Sequence, residues 1–163
     1  MNKSNKGFTL IELLAVITLV GILATLAVPN IISSINNSRK NTFLLDAKRM
    51  VTKAEYLISQ DRVVRNGIIS GTSKTYTYKE LNVNDEFTTD ADGGPFNDET
   101  FVNVSYNGTE FNYCICVMGS SKQITGTSDG CNHLETTNGV GCISSTSLTG
   151  IDIIKDIKKE NDD

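Results

Sequence analysis

The sequence has no tryptophan, a single histidine, two prolines and four cysteines in 163 residues. One histidine cannot supply a multi-imidazole metal centre, and His133 sits in a glycine-rich polar stretch with no nucleophile motif around any cysteine. Phosphate-cradling glycine loops, Gly-x-Ser-x-Gly and His-Glu-x-x-His are also missing, so enzyme activity and a cofactor are not expected. Basic residues are outnumbered: the formal charge is −4, which argues against an electrostatically driven nucleic-acid binder. Charge of either sign is absent from Leu13 to Ser38, a run of 26 residues made mostly of Leu, Ile, Val and Ala.

About 20 apolar residues cross the hydrocarbon core of a bilayer, and this run is long enough. Between Lys6 and Arg39 the only charged residue is Glu12. An acid inside a spanning segment costs about 2.5–3.5 kcal/mol at its centre, so Glu12 needs a reason. An ordinary secretory signal with Thr25-Leu26-Ala27 as its cleavage site has no use for it, and neither does a plain single-span anchor. Lys3 and Lys6 would stay inside, leaving the C-terminus outside.

Lys6-Gly7-Phe8-Thr9-Leu10-Ile11-Glu12, followed by an apolar helix containing Pro29, resembles the N-terminus of a type IV pilin precursor. The resemblance implies a basic leader, residues 1–7, that a prepilin peptidase removes after Gly7, with methylation of the new N-terminal Phe8. It implies that Glu12 is the assembly residue and that Pro29 belongs to the assembly helix. Residues 8–35 would be the transmembrane and assembly half of the helix, and 36–163 the globular head. The implied fold is α+β, a long N-terminal helix packed by its second half on a small antiparallel sheet. The implied function is structural: a homopolymeric filament outside the cell, built from a pool in membrane lipid by an assembly platform and minor pilins. Pseudopilins of type II secretion or DNA uptake, and minor pilins, share this N-terminus; a membrane-anchored binding module that never polymerises is the reading from another class. Physically, a Phe8 ammonium and a Glu12 carboxylate would each need a partner in a dry core, within one subunit or between two.

Further along, Pro29 is expected to kink the helix. Ile35, Phe43, Ala47, Met50, Ala54 and Leu57 recur at helical spacing, which predicts a buried stripe on a helix running to about Ser59. Residues 60–100 read as connecting loops with a short strand at Thr75–Tyr78. Asp90-Ala91-Asp92-Gly93-Gly94-Pro95 departs from a calcium loop at its later ligand positions and reads as a solvated acidic loop. Phe101–Tyr106, Asn107-Gly108 and Thr109–Met118 read as a hairpin with a type I′ turn. Phe111, Tyr113, Ile115 and Val117 would then face the helix, with Cys114 and Cys116 on the other face. Residues 119–150 read as irregular; beyond them Ile151, Ile154 and Ile157 read as one face of a short helix, or Ile151–Ile154 as an edge strand.

Outside the cell Cys114, Cys116, Cys131 and Cys142 are expected in disulfides, with Cys114 and Cys116 reaching different partners and the pairing open. The rival is a zinc set drawn from Cys114, Cys116, Cys131, His133 and Cys142, whose two-residue spacings are tighter than usual zinc spacings. Otherwise His133 is an exposed loop residue.

Overall fold

The computed structural model describes residues 8–64, 73–82, 84–126 and 142–157. It is an α+β protein. The first helix, α1, is Leu10–Val64, longer by about a turn than its hydrophobic stripe requires. It is followed by strand β1 (Ser73–Thr77), the single-turn helix α2 (Tyr78–Leu81), and strands β2 (Phe101–Tyr106) and β3 (Phe111–Met118). Strands β4 (Lys122–Ile124), β5 (Ile143–Ser144) and β6 (Lys155–Asp156) complete the described elements. The chain divides into two units, residues 1–38 and 39–163.

In the second unit the sheet order is β1-β2-β3-β4-β6, with β5 also paired to β3, and every pairing is antiparallel. One face of α1 supplies Phe43, Leu44, Ala47, Met50, Val51, Ala54 and Ile58 to a core shared with Val102, Val104, Ile115 and Val117. The helical stripe is thus the expected one with Leu44, Val51 and Ile58 added, while Leu57 is only partly buried. Adding those positions widens the seam to that of a globular core helix, which is broader than a single row. Ile35 lies outside the stripe and is exposed, in the first unit.

Alternation along β3 holds as expected. Ile115 and Val117 are fully buried on the helix side and Phe111 and Tyr113 are packed against that core. Cys116 points to the other face, where it is fully buried against Phe101 in a second, smaller cluster. The hairpin turn differs from the expectation. Tyr106 pairs with Phe111, so the loop has four residues and not the two of a type I′ turn. The cause is Asn107: its Oδ1 accepts from the N–H groups of Thr109 and Glu110, both at 2.9 Å, and these bonds hold a wider loop closed. Only Gly108 takes a positive φ there, +100°.

Two other stretches are more regular than their composition suggests. Among the described residues of 119–150, β4 lies between β3 and β6 in the sheet and β5 pairs with β3. Near the end, a 3-10 turn at Ile151–Ile153 seats Ile154 in the core before β6 pairs with β4.

Candidate assembly site

The helix start is built by a reciprocal cap. Thr9 Oγ1 accepts from the Glu12 N–H at 3.3 Å, while Glu12 Oε2 accepts from the Thr9 N–H at 2.8 Å and from Thr9 Oγ1 at 2.7 Å. Orphan N–H groups of a first turn need such acceptors, and a Thr-x-x-Glu spacing supplies them. Thr9 is therefore a working part of this site that the sequence reading passed over, although the capping spacing was there to be read. Glu12 Oε2 carries the cap, and Oε1 accepts no hydrogen bond from any described residue. Phe8, one turn before, is 89 % exposed. Gly7 lies outside the described residues.

From Leu10 to Ile35 the helix presents large apolar side chains all round, and each one whose side chain is described is exposed, as is Phe8 just before it. Burying one such side chain is worth about 1.5–3 kcal/mol, so a face of this size requires lipid or protein around it. Among the described residues no single helix is long and apolar enough to cross a membrane. The pieces Leu10–Thr25 and Ala27–Asp61, bent at the break between them, meet the requirement together by length and composition. The break falls about one turn before Pro29. A proline lacks the N–H that would bond the carbonyl of Thr25, four residues earlier, and its ring crowds that carbonyl. Thr25 Oγ1 also donates to the Ile22 carbonyl at 2.7 Å, which adds to the local loosening.

In the second unit the acidic segment is not a solvated loop. Asp90 is buried, and its Oδ1 accepts from the N–H groups of Asp92 (2.9 Å) and Gly94 (3.0 Å). Its Oδ2 accepts from the Ser120 N–H and from Ser120 Oγ (2.7 Å), tying the loop to the β3–β4 turn. Asp92 pairs with Arg39 on α1 at 3.1 Å, with the buried Lys122 of β4, and with the Ser121 hydroxyl. Burial pushes the Asp92 carboxyl up, but the hydrogen bonds from Lys122 and Ser121 and the charges of Lys122 and Arg39 outweigh it and hold it below the ordinary carboxylate range. Gly119 makes the close approach achievable: a Cβ there would stand 2.5 Å from Asp90 Oδ2 and 2.7 Å from the Phe43 ring. These carboxylates are occupied by protein donors, which is why an acidic spacing that suggests calcium builds a latch here.

Cys114 and Cys142 form a disulfide that fastens β3 to the segment leading into β5. Cys116 is disulfide-bonded as well. Cys131 and His133 lie outside the described residues. Cys114, Cys116 and Cys142 stand in disulfide bonds in this structure, and a disulfide sulfur is not the thiolate that zinc takes as a ligand. A cleft of about 320 Å³ between α1 and the Glu86-Phe87 segment is lined by Arg49, Thr52, Lys53 and Tyr56. Its cations are already engaged, Lys53 with Glu86 at 2.9 Å and Arg49 with Asp46 at 3.3 Å.

Residues 2–28 match the prokaryotic N-terminal methylation motif. Over 59 residues the chain is 37% identical to a protein of Myxococcus xanthus (strain DK1622) described as "Type IV major pilin protein PilA". That match covers 36% of this chain and 27% of the relative, so it spans about a quarter of the relative's length. No solved structure matches.

Proposed function

We propose that this chain, which the methylation motif and the pilin relative together support as a type IV pilin, is the structural subunit of an extracytoplasmic type IV pilus filament. The observation that carries the reading is the apolar half-helix from Phe8 to Ile35, exposed on its described side chains, with one acid at its start. Such a surface partitions between lipid and a bundle of identical helices. The precursor rests in the membrane, and residues 8–35 move into a filament core on addition, with 36–163 displayed as the head. Heterologous contacts between identical subunits that do not close generate an open helical polymer.

In this reading residues 1–7 are the leader that prepilin peptidase removes, and Phe8 is the residue that is methylated. Cutting there leaves an ammonium one turn before Glu12. The capping bonds occupy Oε2, which leaves Oε1 for the Phe8 ammonium of a neighbouring subunit. A buried charge without a partner costs several kcal/mol, so this pair would set the axial register of an incoming subunit. The assembly platform and minor pilins are the partners this implies, and no catalytic step is assigned to the chain.

Two measurements test the proposal. N-terminal sequencing of membrane or filament protein should start at Phe8, and Gly7→Val should leave the precursor uncut; a mature start at Val28 would mean a secretory signal. Deletion of the gene should remove surface filaments. Filaments that persist while protein export or DNA uptake fails would instead identify a pseudopilin.

A further inference from the structure

The side-chain bonds that close the β2–β3 hairpin loop also set up a chemical arrangement at Asn107 and Gly108. Asn107 is exposed and is followed by Gly108, whose missing Cβ leaves the backbone nitrogen open to a neighbour. Asn107 Oδ1 is held by two backbone N–H groups, those of Thr109 and Glu110, each at 2.9 Å. Neither Asn107 Nδ2 nor the Gly108 N–H is hydrogen-bonded to a described residue. The tip is further fixed by Tyr106 Oη, which donates to the Gly108 carbonyl at 2.9 Å, and by stacking of Tyr106 on Phe111 with centroids 4.7 Å apart.

We propose that Asn107 is a self-modifying site, deamidated by the hairpin loop itself. The Gly108 nitrogen attacks Asn107 Cγ and gives up its proton to solvent. Negative charge develops on Oδ1, where the Thr109 and Glu110 N–H groups already point, as donors do in an oxyanion hole. The C–N bond to Nδ2 breaks and the nitrogen leaves as ammonia, closing a five-membered succinimide between residues 107 and 108. Water then opens the ring. Attack at Cγ gives aspartate; attack at the former main-chain carbonyl gives isoaspartate, with the chain running through the side-chain carbon. The sum is amide plus water to carboxylate plus ammonia, with no change of oxidation state.

The other described asparagines lack this combination. Asn103 is buried, donates its amide to Thr75 Oγ1 at 2.9 Å and precedes the β-branched Val104. Asn97 also accepts a backbone bond, from Glu99 N–H at 2.8 Å, but precedes Asp98. The sequence repeats Asn-Gly at Asn66 and Asn138, outside the described residues, and these serve as internal references. The consequence of reaction at Asn107 is one added negative charge at the hairpin tip. Aspartate keeps the acceptor for Thr109 and Glu110, whereas isoaspartate lengthens the main chain and loosens the loop.

The test is made on the oxidised full chain in detergent, incubated at mildly alkaline pH and mapped by peptide mass spectrometry with isoaspartate-methyltransferase labelling. Conversion at Asn107 should be at least about tenfold faster in the folded chain than in the same chain held in denaturant, a small fraction of what a donor gives in a buried oxyanion hole. A folded rate equal to or below the denatured one would overturn the proposal, and this comparison needs no variant. Thr109→Pro removes one of the two donors and should slow the folded rate at Asn107 alone, leaving Asn66 and Asn138 as they were. An unchanged rate at Asn107 in that variant would also overturn it.

Discussion

Replacing Asp90 is the perturbation that most directly probes how the head is held together. Its carboxylate accepts from two N–H groups of its own loop and from the N–H and hydroxyl of Ser120 in the β3–β4 turn. Hydrogen bonds to a charged acceptor are worth about 1.5–3 kcal/mol each, and a buried donor left without a partner costs about 1–3 kcal/mol. Not all four donors stay dry once the side chain is gone, and the desolvation of the carboxylate is relieved. Asp90→Ala should therefore cost about 3 kcal/mol, and Asp90→Asn, which keeps one acceptor oxygen, about half of that. Urea unfolding of the head, with Glu86→Gln at an exposed ion pair as the reference, measures both. A loss below about 1 kcal/mol for Asp90→Ala would refute the latch and return the segment to a solvated loop. Calcium added to the wild-type head should leave the midpoint where it is, since stabilisation by binding would require free carboxylates.

Three further outcomes follow from the same geometry. Removing residues 1–35 should leave a soluble, folded, monomeric head, because every core residue of α1 lies at or beyond Phe43; an unfolded fragment under oxidising conditions would contradict the division. Asp92 has a folded-state pKa below its ordinary value, so the unfolded chain binds the proton more readily and the contribution is present above the ordinary carboxylate pKa. It should fade as the pH falls from that value through the lowered one, and Asp92→Asn should flatten that part of the acid-stability profile. The Cys114–Cys142 bond closes a separation of 28 residues, and Cys142→Ser should lower stability by about 2–4 kcal/mol in denaturant titrations.

Much of this fold was legible because periodicity reports burial. The helical stripe from Phe43 to Ala54 and the alternation of Ile115 and Val117 are set by repeat distances of about 3.6 and 2 residues, which tertiary context did not override. The Asp90 latch was not legible. An Asp-x-Asp-Gly segment has the same composition whether water, calcium or Ser120 occupies the carboxylates, and the Ser120 contact joins residues 30 apart in sequence. The hairpin turn failed for a related reason: Asn-Gly favours two residues, but the Asn107 side chain satisfies the N–H groups of a longer loop. The Thr9–Glu12 cap is the opposite case, since a Thr-x-x-Glu spacing is local and both partners stand within one turn of the sequence.

The central claim is that Glu12 earns its place in an apolar helix through assembly. Glu12→Gln should insert and be cleaved normally, since a costly carboxylate has left the membrane segment. Within a filament its neutral side chain would leave the neighbouring Phe8 ammonium without a counter-charge. The decisive measurement is to co-express the Glu12→Gln subunit with wild type and compare its share of sheared filaments with its share of the membrane pool. The account predicts clear under-representation in the filament. Equal shares in both pools would contradict it and leave Glu12 as a helix cap with no part in polymerisation.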